Sequence, residues 1–192
     1  MKGSDQIRAF IAIHLPEAAK AELGLVTDVL AGQMPPHSVR WVQPHLLHLT
    51  LRFLGDTAVS DLPALTFALD EIAAAHTPMT LHLSGLGCFP NRSRPRVIWA
   101  GLEGEVTAVQ TLQSAIEQAM RGLGWPSEDK PFNPHLTLGR VKDGRLLRSV
   151  EWGTKVKEVG VPVTAVHLME SQLRPNGPIY TIRHTSQMNN EQ

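Results

Sequence analysis

The chain has 192 residues, 42 % hydrophobic and 19 % charged, enough for one domain with a sizeable core or two closely packed lobes. Eighteen basic against eighteen acidic side chains leave no global field to recruit a nucleic acid, so a polyanion has to meet a local patch. The single Cys88 excludes an internal disulfide, and the apolar run from Phe10 to Ile13 is too short for a membrane span and has no signal-peptide flanks, so a cytoplasmic location is expected.

Residues 7 to 14 read as a first buried strand. Pro16 fits the first turn of a helix in which Ala19, Leu23, Val26 and Leu30 recur at helical spacing, until Gly32 and Pro35-Pro36 stop it. Val39 to Val42 is a short strand broken by Gln43-Pro44, and Leu46 to Phe53 is the next, closed by Gly55-Asp56; the two form a hairpin or a crossover pair. Asp61 precedes a second helix with Leu62, Leu65, Leu69 and Ile72 on one face.

Residues 79 to 87 and 96 to 102 read as partner strands around a loop carrying Arg92, Arg94 and Arg96, a cluster read as a solvated surface. A third helix covers about 105 to 122. Further strands follow at 135 to 141, 161 to 173 and 179 to 184, with a short helix at 146 to 152 and a turn signal at Pro175-Asn176-Gly177. The polar tail from about residue 186 is expected to fray. Runs of strands between single helices favour an α+β fold with antiparallel sheets over a doubly wound nucleotide fold, and no Gly-rich phosphate loop argues otherwise.

One tetrapeptide occurs twice, as His48-Leu49-Thr50-Leu51 and as His135-Leu136-Thr137-Leu138. From the His, Thr and Leu content, about 0.01 occurrences are expected by chance, so the repeat needs a physical reason. In a strand, residues i and i+2 share a face, so each copy sets an imidazole beside a hydroxyl while the Leu pair, and Phe53 beyond the first copy, turns to the core. The copies lie about half a chain apart, which points to two similar lobes facing each other across a groove.

Two such pairs suit phosphodiester cleavage without a metal. One neutral imidazole deprotonates the attacking oxygen and one imidazolium protonates the leaving oxygen, both states being populated near neutral pH. In-line displacement requires the two histidines to flank the phosphate, and the Thr50 and Thr137 hydroxyls can donate to its non-bridging oxygens. Arg52 shares the strand parity of His48 and Thr50 and is a candidate for phosphate contact. Arg140 has the wrong strict parity unless a bulge turns it inward.

With these motifs the chain resembles the two-histidine (2H) phosphoesterases, and within them the RNA 2′,3′-cyclic phosphodiesterases, also called 2′-5′ RNA ligase-like proteins. Arg8 to Ile13, Trp41 to Gly55, Pro95 to Leu102, Pro134 to Arg140, and Glu170-Ser171 with Gly177 and Tyr180 carry the resemblance. It implies a single bilobal domain over residues 1 to 192, two antiparallel sheets facing a central groove, and helices packed outside. It also implies hydrolysis of an RNA 2′,3′-cyclic phosphate, or a related small cyclic nucleotide, to a 2′-phosphomonoester. His48 would be the proton donor and His135 the proton acceptor, with no cofactor and no metal, and 2′-5′ ligation would be the reverse reaction. Resemblance favours Arg140 over Arg52. A monomer is the default state.

The other histidines are read as structural. His14, His82, His167 and His184 stand alone on strands, His82-Leu83-Ser84 imitates the motif without a second copy, and His45 falls on the Leu49 face. Trp41, Phe132 and Tyr180 suit base stacking or core packing equally. Two other functions compete: a zinc hydrolase, for which neither motif has a nearby carboxylate or third His at ligand spacing, and a noncatalytic module binding RNA ends or nucleotides.

Overall fold

The computed structural model describes residues 6–143, 153–175 and 177–190. In chain order these form β1 (Gln6–His14), α1 (Glu17–Gly32), β2 (Val39–Trp41), β3 (His48–Ala58), α2 (Leu62–Ala74), β4 (Met79–Phe89), β5 (Val97–Gly104), α3 (Val106–Gly122), β6 (His135–Val141), β7 (Gly160–Val163), β8 (Ala165–Arg174) and β9 (Gly177–Gln187). A 3-10 turn, Pro44–Leu46, links β2 to β3. The helix expected at 146 to 152 and Asn176 of the expected turn lie outside the described residues.

The strands form two sheets in the α+β arrangement expected. One has the order β3-β1-β8-β9 and the other β2-β6-β5-β4-β7, with every pairing antiparallel. Alternation in β1 sends Ala9, Ile11 and Ile13 to the core, where they meet Leu49 and Leu51 of β3. Leu136 and Leu138 of β6 join the same buried cluster, which also takes Leu23 and Leu30 of α1, Leu65 and Leu69 of α2, and Leu112 and Ile116 of α3. Each fully buried Leu contributes roughly 2 kcal/mol. The opposite face of the first sheet carries only a small cluster of Phe10, Ala12 and Met169 with Tyr180.

Two segments differ from the sequence reading. The run 161 to 173 is two strands, not one: β7 closes the edge of the second sheet, and after Thr164 the chain enters the first sheet as β8. The pairing marks the switch: Val163 lies opposite Met79 of β4, whereas Ala165 lies opposite Gln187 of β9. The end of the chain is also more ordered than expected, with β9 running to Gln187, Met188 buried, and Asn189 N–H donating to the His76 carbonyl. Among the described residues no helix is long and apolar enough to cross a membrane.

β2 and β3 turn out to be neither a hairpin nor a crossover within one sheet. β2 pairs with β6 in the second sheet, Trp41 opposite Gly139, and the six-residue link 42–47 then delivers the chain to the edge of the first sheet as β3. β3 and β6 touch where the sheets meet. The connection therefore brings the two motif strands together.

Candidate active site

Both tetrapeptides begin a strand and end on a β-bulge. In β3, Ala12 pairs with Thr50 and Ile11 with Arg52, leaving Leu51 extra; in β6, Trp99 pairs with Thr137 and Ile98 with Gly139, leaving Leu138 extra. The bulges free two carbonyls from the ladder, and both find donors: Gln113 Nε2 donates to Leu51 O at 3.4 Å and Val42 N–H to Leu138 O at 2.8 Å. Each extra residue also inverts the parity downstream.

That inversion decides between the two arginines. Arg52 turns to the core face, where its guanidinium, with the side chain only 4 % exposed, pairs with Glu117 at 2.8 Å and with Glu128, and donates to the Pro126 carbonyl. The expectation that Arg52 meets phosphate is therefore corrected: it fastens the β3 edge to the end of α3 and the segment behind it. Phe53, expected in the core, is 57 % exposed and lies on the His48 face, 6.2 Å from Phe10. In β6 the equivalent inversion leaves Arg140 exposed, and its charge acts on Tyr180.

The two histidines are held alike. His48 Nδ1–H donates to the Leu46 carbonyl and His135 Nδ1–H to the Asn133 carbonyl, each at 2.8 Å and each two residues back. These bonds fix the tautomer and leave both Nε2 atoms free to exchange a proton. Aromatic rings set the planes: His48 lies 4.9 Å from Phe10 and 5.3 Å edge-on to Tyr180, and His135 lies 5.0 Å edge-on to Phe89 and 6.4 Å from Trp99. Thr50 and Thr137 are half-buried beside them, and neither hydroxyl is spent on a protein partner among the described residues.

Burial lowers the pKa of His48, the Leu46 carbonyl opposes this, and His14, directly opposite in the β1 register, lowers it further. His14 stacks on His167 with ring centroids 4.1 Å apart, and burial with His14 nearby pushes His167 down to about 4. Burial raises the Tyr180 phenol against the opposing charges of Arg140 and Arg8. His184 is elsewhere, paired with Asp70 of α2 at 2.7 Å, and His82 faces Glu158.

Sequence reasoning gave Arg8 and Phe10 only a part in the resemblance, with no site role, and read His14 as structural. The signal was present, because Arg8, Phe10, Ala12 and His14 alternate with the buried Ala9, Ile11 and Ile13 and so share the His48 face. His45 is not on the Leu49 face either: it sits exposed in the 3-10 turn and lines a cavity beside His48. Among the described residues no group of three or more His, Cys, Asp or Glu is placed to hold a metal ion.

Two antiparallel sheets, each carrying one His-x-Thr strand, give the fold of the two-histidine phosphoesterases. The chain belongs to the 2′-5′ RNA ligase superfamily, whose family model matches residues 15–174. A protein named RNA 2′,3′-cyclic phosphodiesterase from Thermus thermophilus is 35 % identical over 188 residues, covering 92 % of this chain and 87 % of its own length. One of the same name from Methanothermobacter thermautotrophicus is 33 % identical over 180 residues, covering 92 % and 96 %. Among solved structures, one from Thermus thermophilus superposes with a TM-score of 0.79 at 31 % identity over 97 % of this chain and all of its own. E. coli LigT complexed with 3′-AMP gives 0.73 at 26 % identity, covering 95 % and 98 %.

Proposed function

We propose that this protein hydrolyses RNA 2′,3′-cyclic phosphate ends to 2′-phosphomonoesters without a metal or cofactor. The observation that carries the reading is the matched pair of histidines, each pinned through Nδ1 to a carbonyl and each beside a threonine with an uncommitted hydroxyl. Relatives named for this activity and the 3′-AMP complex of LigT support it.

Water attacks phosphorus in line with the P–O3′ bond. His135 Nε2 takes a proton from the water as the new P–O bond forms, and His48 Nε2–H gives a proton to O3′ as its bond to phosphorus breaks. Phosphorus remains esterified at O2′. Thr50 and Thr137 donate to the non-bridging oxygens, and Arg140 adds positive charge on the same side. Burial disfavours the His48 imidazolium in the free protein, and an anionic phosphate beside it favours that form, so substrate binding shifts the donor towards its charged state.

Ligation through a 2′-5′ bond is the same path with an RNA 5′-hydroxyl in place of water and each histidine in the same role; the roles exchange when the 3′-hydroxyl attacks that bond and re-forms the cyclic phosphate. Both His-Thr pairs come from one chain, so a monomer carries the complete site. The test is turnover of a cyclic-phosphate end in EDTA by wild type, His48→Ala and His135→Ala. Activity retained in EDTA and reduced by about 10²- to 10⁴-fold in each variant is expected; full activity in either variant refutes the mechanism.

A further inference from the structure

A cavity of about 300 Å³ opens beside His48. Its lining comes from β1, α1, the 3-10 turn and link, β3, β8 and β9, and no lining residue belongs to a strand of the second sheet, which holds His135. Part of the lining is apolar, from Met169, Tyr180 and Ile182. Lys20 of α1, His45 and His14 supply its basic part.

The chemistry proposed above dictates what lies there. In a 2′,3′-cyclic phosphate the ribose is tied to phosphorus through both O2′ and O3′, and in-line attack puts the water opposite O3′. The sugar is therefore on the acid side, next to His48, and water enters from the side of His135. A cavity of this volume is at the small end of ligand sites, roughly 300–1,000 Å³, so it suits one nucleoside and not two.

The 5′ carbon of that nucleoside, in an RNA, carries the phosphate of the preceding residue. Two groups able to meet it line the same cavity. Lys20 is held 2.8 Å from Glu17, whose carboxylate is 89 % exposed and so remains hydrated, which leaves the ammonium available to a second anion. His45, exposed in its turn, presents a ring with no other partner among the described residues.

We infer that the cavity beside His48 is the subsite for the terminal nucleoside and that Lys20 and His45 bind the phosphate on its 5′ side. The protein thereby selects an oligonucleotide or 5′-phosphorylated end over a bare nucleoside cyclic phosphate. This rests on the phosphodiesterase reading above.

The experiment compares kcat/KM for adenosine 2′,3′-cyclic phosphate with that for the same compound bearing a 5′-phosphate, in wild type, Lys20→Ala, Lys20→Arg and His45→Ala. In wild type the 5′-phosphate raises kcat/KM by about tenfold, mainly through KM, as one charge-assisted hydrogen bond provides. The ratio between the two substrates falls towards one in Lys20→Ala, falls in part in His45→Ala, and is kept in Lys20→Arg. Because each variant is its own reference, partial loss of folded protein leaves the ratio intact. A wild-type ratio near one, or a ratio unchanged in Lys20→Ala and His45→Ala, overturns this inference alone; no turnover of either compound overturns it together with the reading beneath it.

Discussion

His48 and His135 share a hydrogen-bonding arrangement but not an environment, and the difference is measurable. Burial and His14 lower the pKa of His48 in the free protein, and a bound phosphate opposes both effects. If His48 is the acid, rate is lost as pH rises through its pKa. The alkaline limb of kcat/KM, which reports the free enzyme, should then lie at lower pH than that of kcat, which reports the complex. Coincident limbs contradict the donor role. The two arginines separate in a different way. Arg52→Ala should cost about 3 kcal/mol of stability, the low end for breaking a buried ion pair, because Glu128 is partly exposed. Arg140→Ala should instead leave the melting temperature within a degree or two and raise KM several-fold, as expected for one lost charge-assisted contact at an exposed position; denaturation curves and steady-state kinetics on both variants check the contrast. The histidines and threonines were legible because a rare tetrapeptide occurs twice. The arginines were not, because strict alternation cannot anticipate a bulge.

At the scale of the element, the bulges at Leu51 and Leu138 set the site. Ordinary alternation puts His and Thr on one face, and the bulges then swap which side the next residues take, sending Arg52 inward and Phe53 and Arg140 outward. A second bulge at Leu54, with Gly55 at φ 72° and the Trp125 indole donating to Leu54 O at 3.1 Å, lets β3 continue to Ala58 where the sequence predicts an end at Gly55. The short strand β2 is as important as either motif strand. It pairs with β6 and leads into β3, and it fits only because position 139 has no side chain: a Cβ there would lie 2.6 Å from Val39 Cγ1 and 2.8 Å from Trp41 Cε3. Gly139→Ala should push β2 off β6, costing about 1–3 kcal/mol and reducing activity with His48 and His135 both present. Unfolding curves and turnover measured together test this, and an unchanged pair of values contradicts it. The helices and most strands were visible as 3.6- and 2-residue patterns. The break between β7 and β8 was hidden, because a chain that changes sheets after one residue looks like a single apolar run.

For the whole molecule, the sheet that carries His48 holds three histidines at a burial cost, and this couples stability to pH. His14, His48 and His167 have lowered pKa values in the fold, the last about 4, so the unfolded chain binds more protons below the ordinary value of 6.5. Stability is full above that value and is lost as pH falls from about 6.5 towards 4. His167→Gln should flatten the decline in melting temperature over this window; a decline as steep as wild type contradicts the assignment. The α+β class and antiparallel sheets followed from the order of elements. That the motif strands lie in different sheets, joined by β2 and a six-residue link, depends on long-range pairing that no local pattern records.

The central claim is that acid and base come from different sheets and act on one cyclic phosphate. The direct measurement is product analysis on an oligonucleotide ending in a 2′,3′-cyclic phosphate, incubated in EDTA with wild type, His48→Ala and His135→Ala. The account predicts a 2′-phosphomonoester from wild type and almost none from either variant. A 3′-phosphate product, no turnover by wild type between pH 5 and 8, or undiminished 2′-phosphate formation by either variant contradicts it.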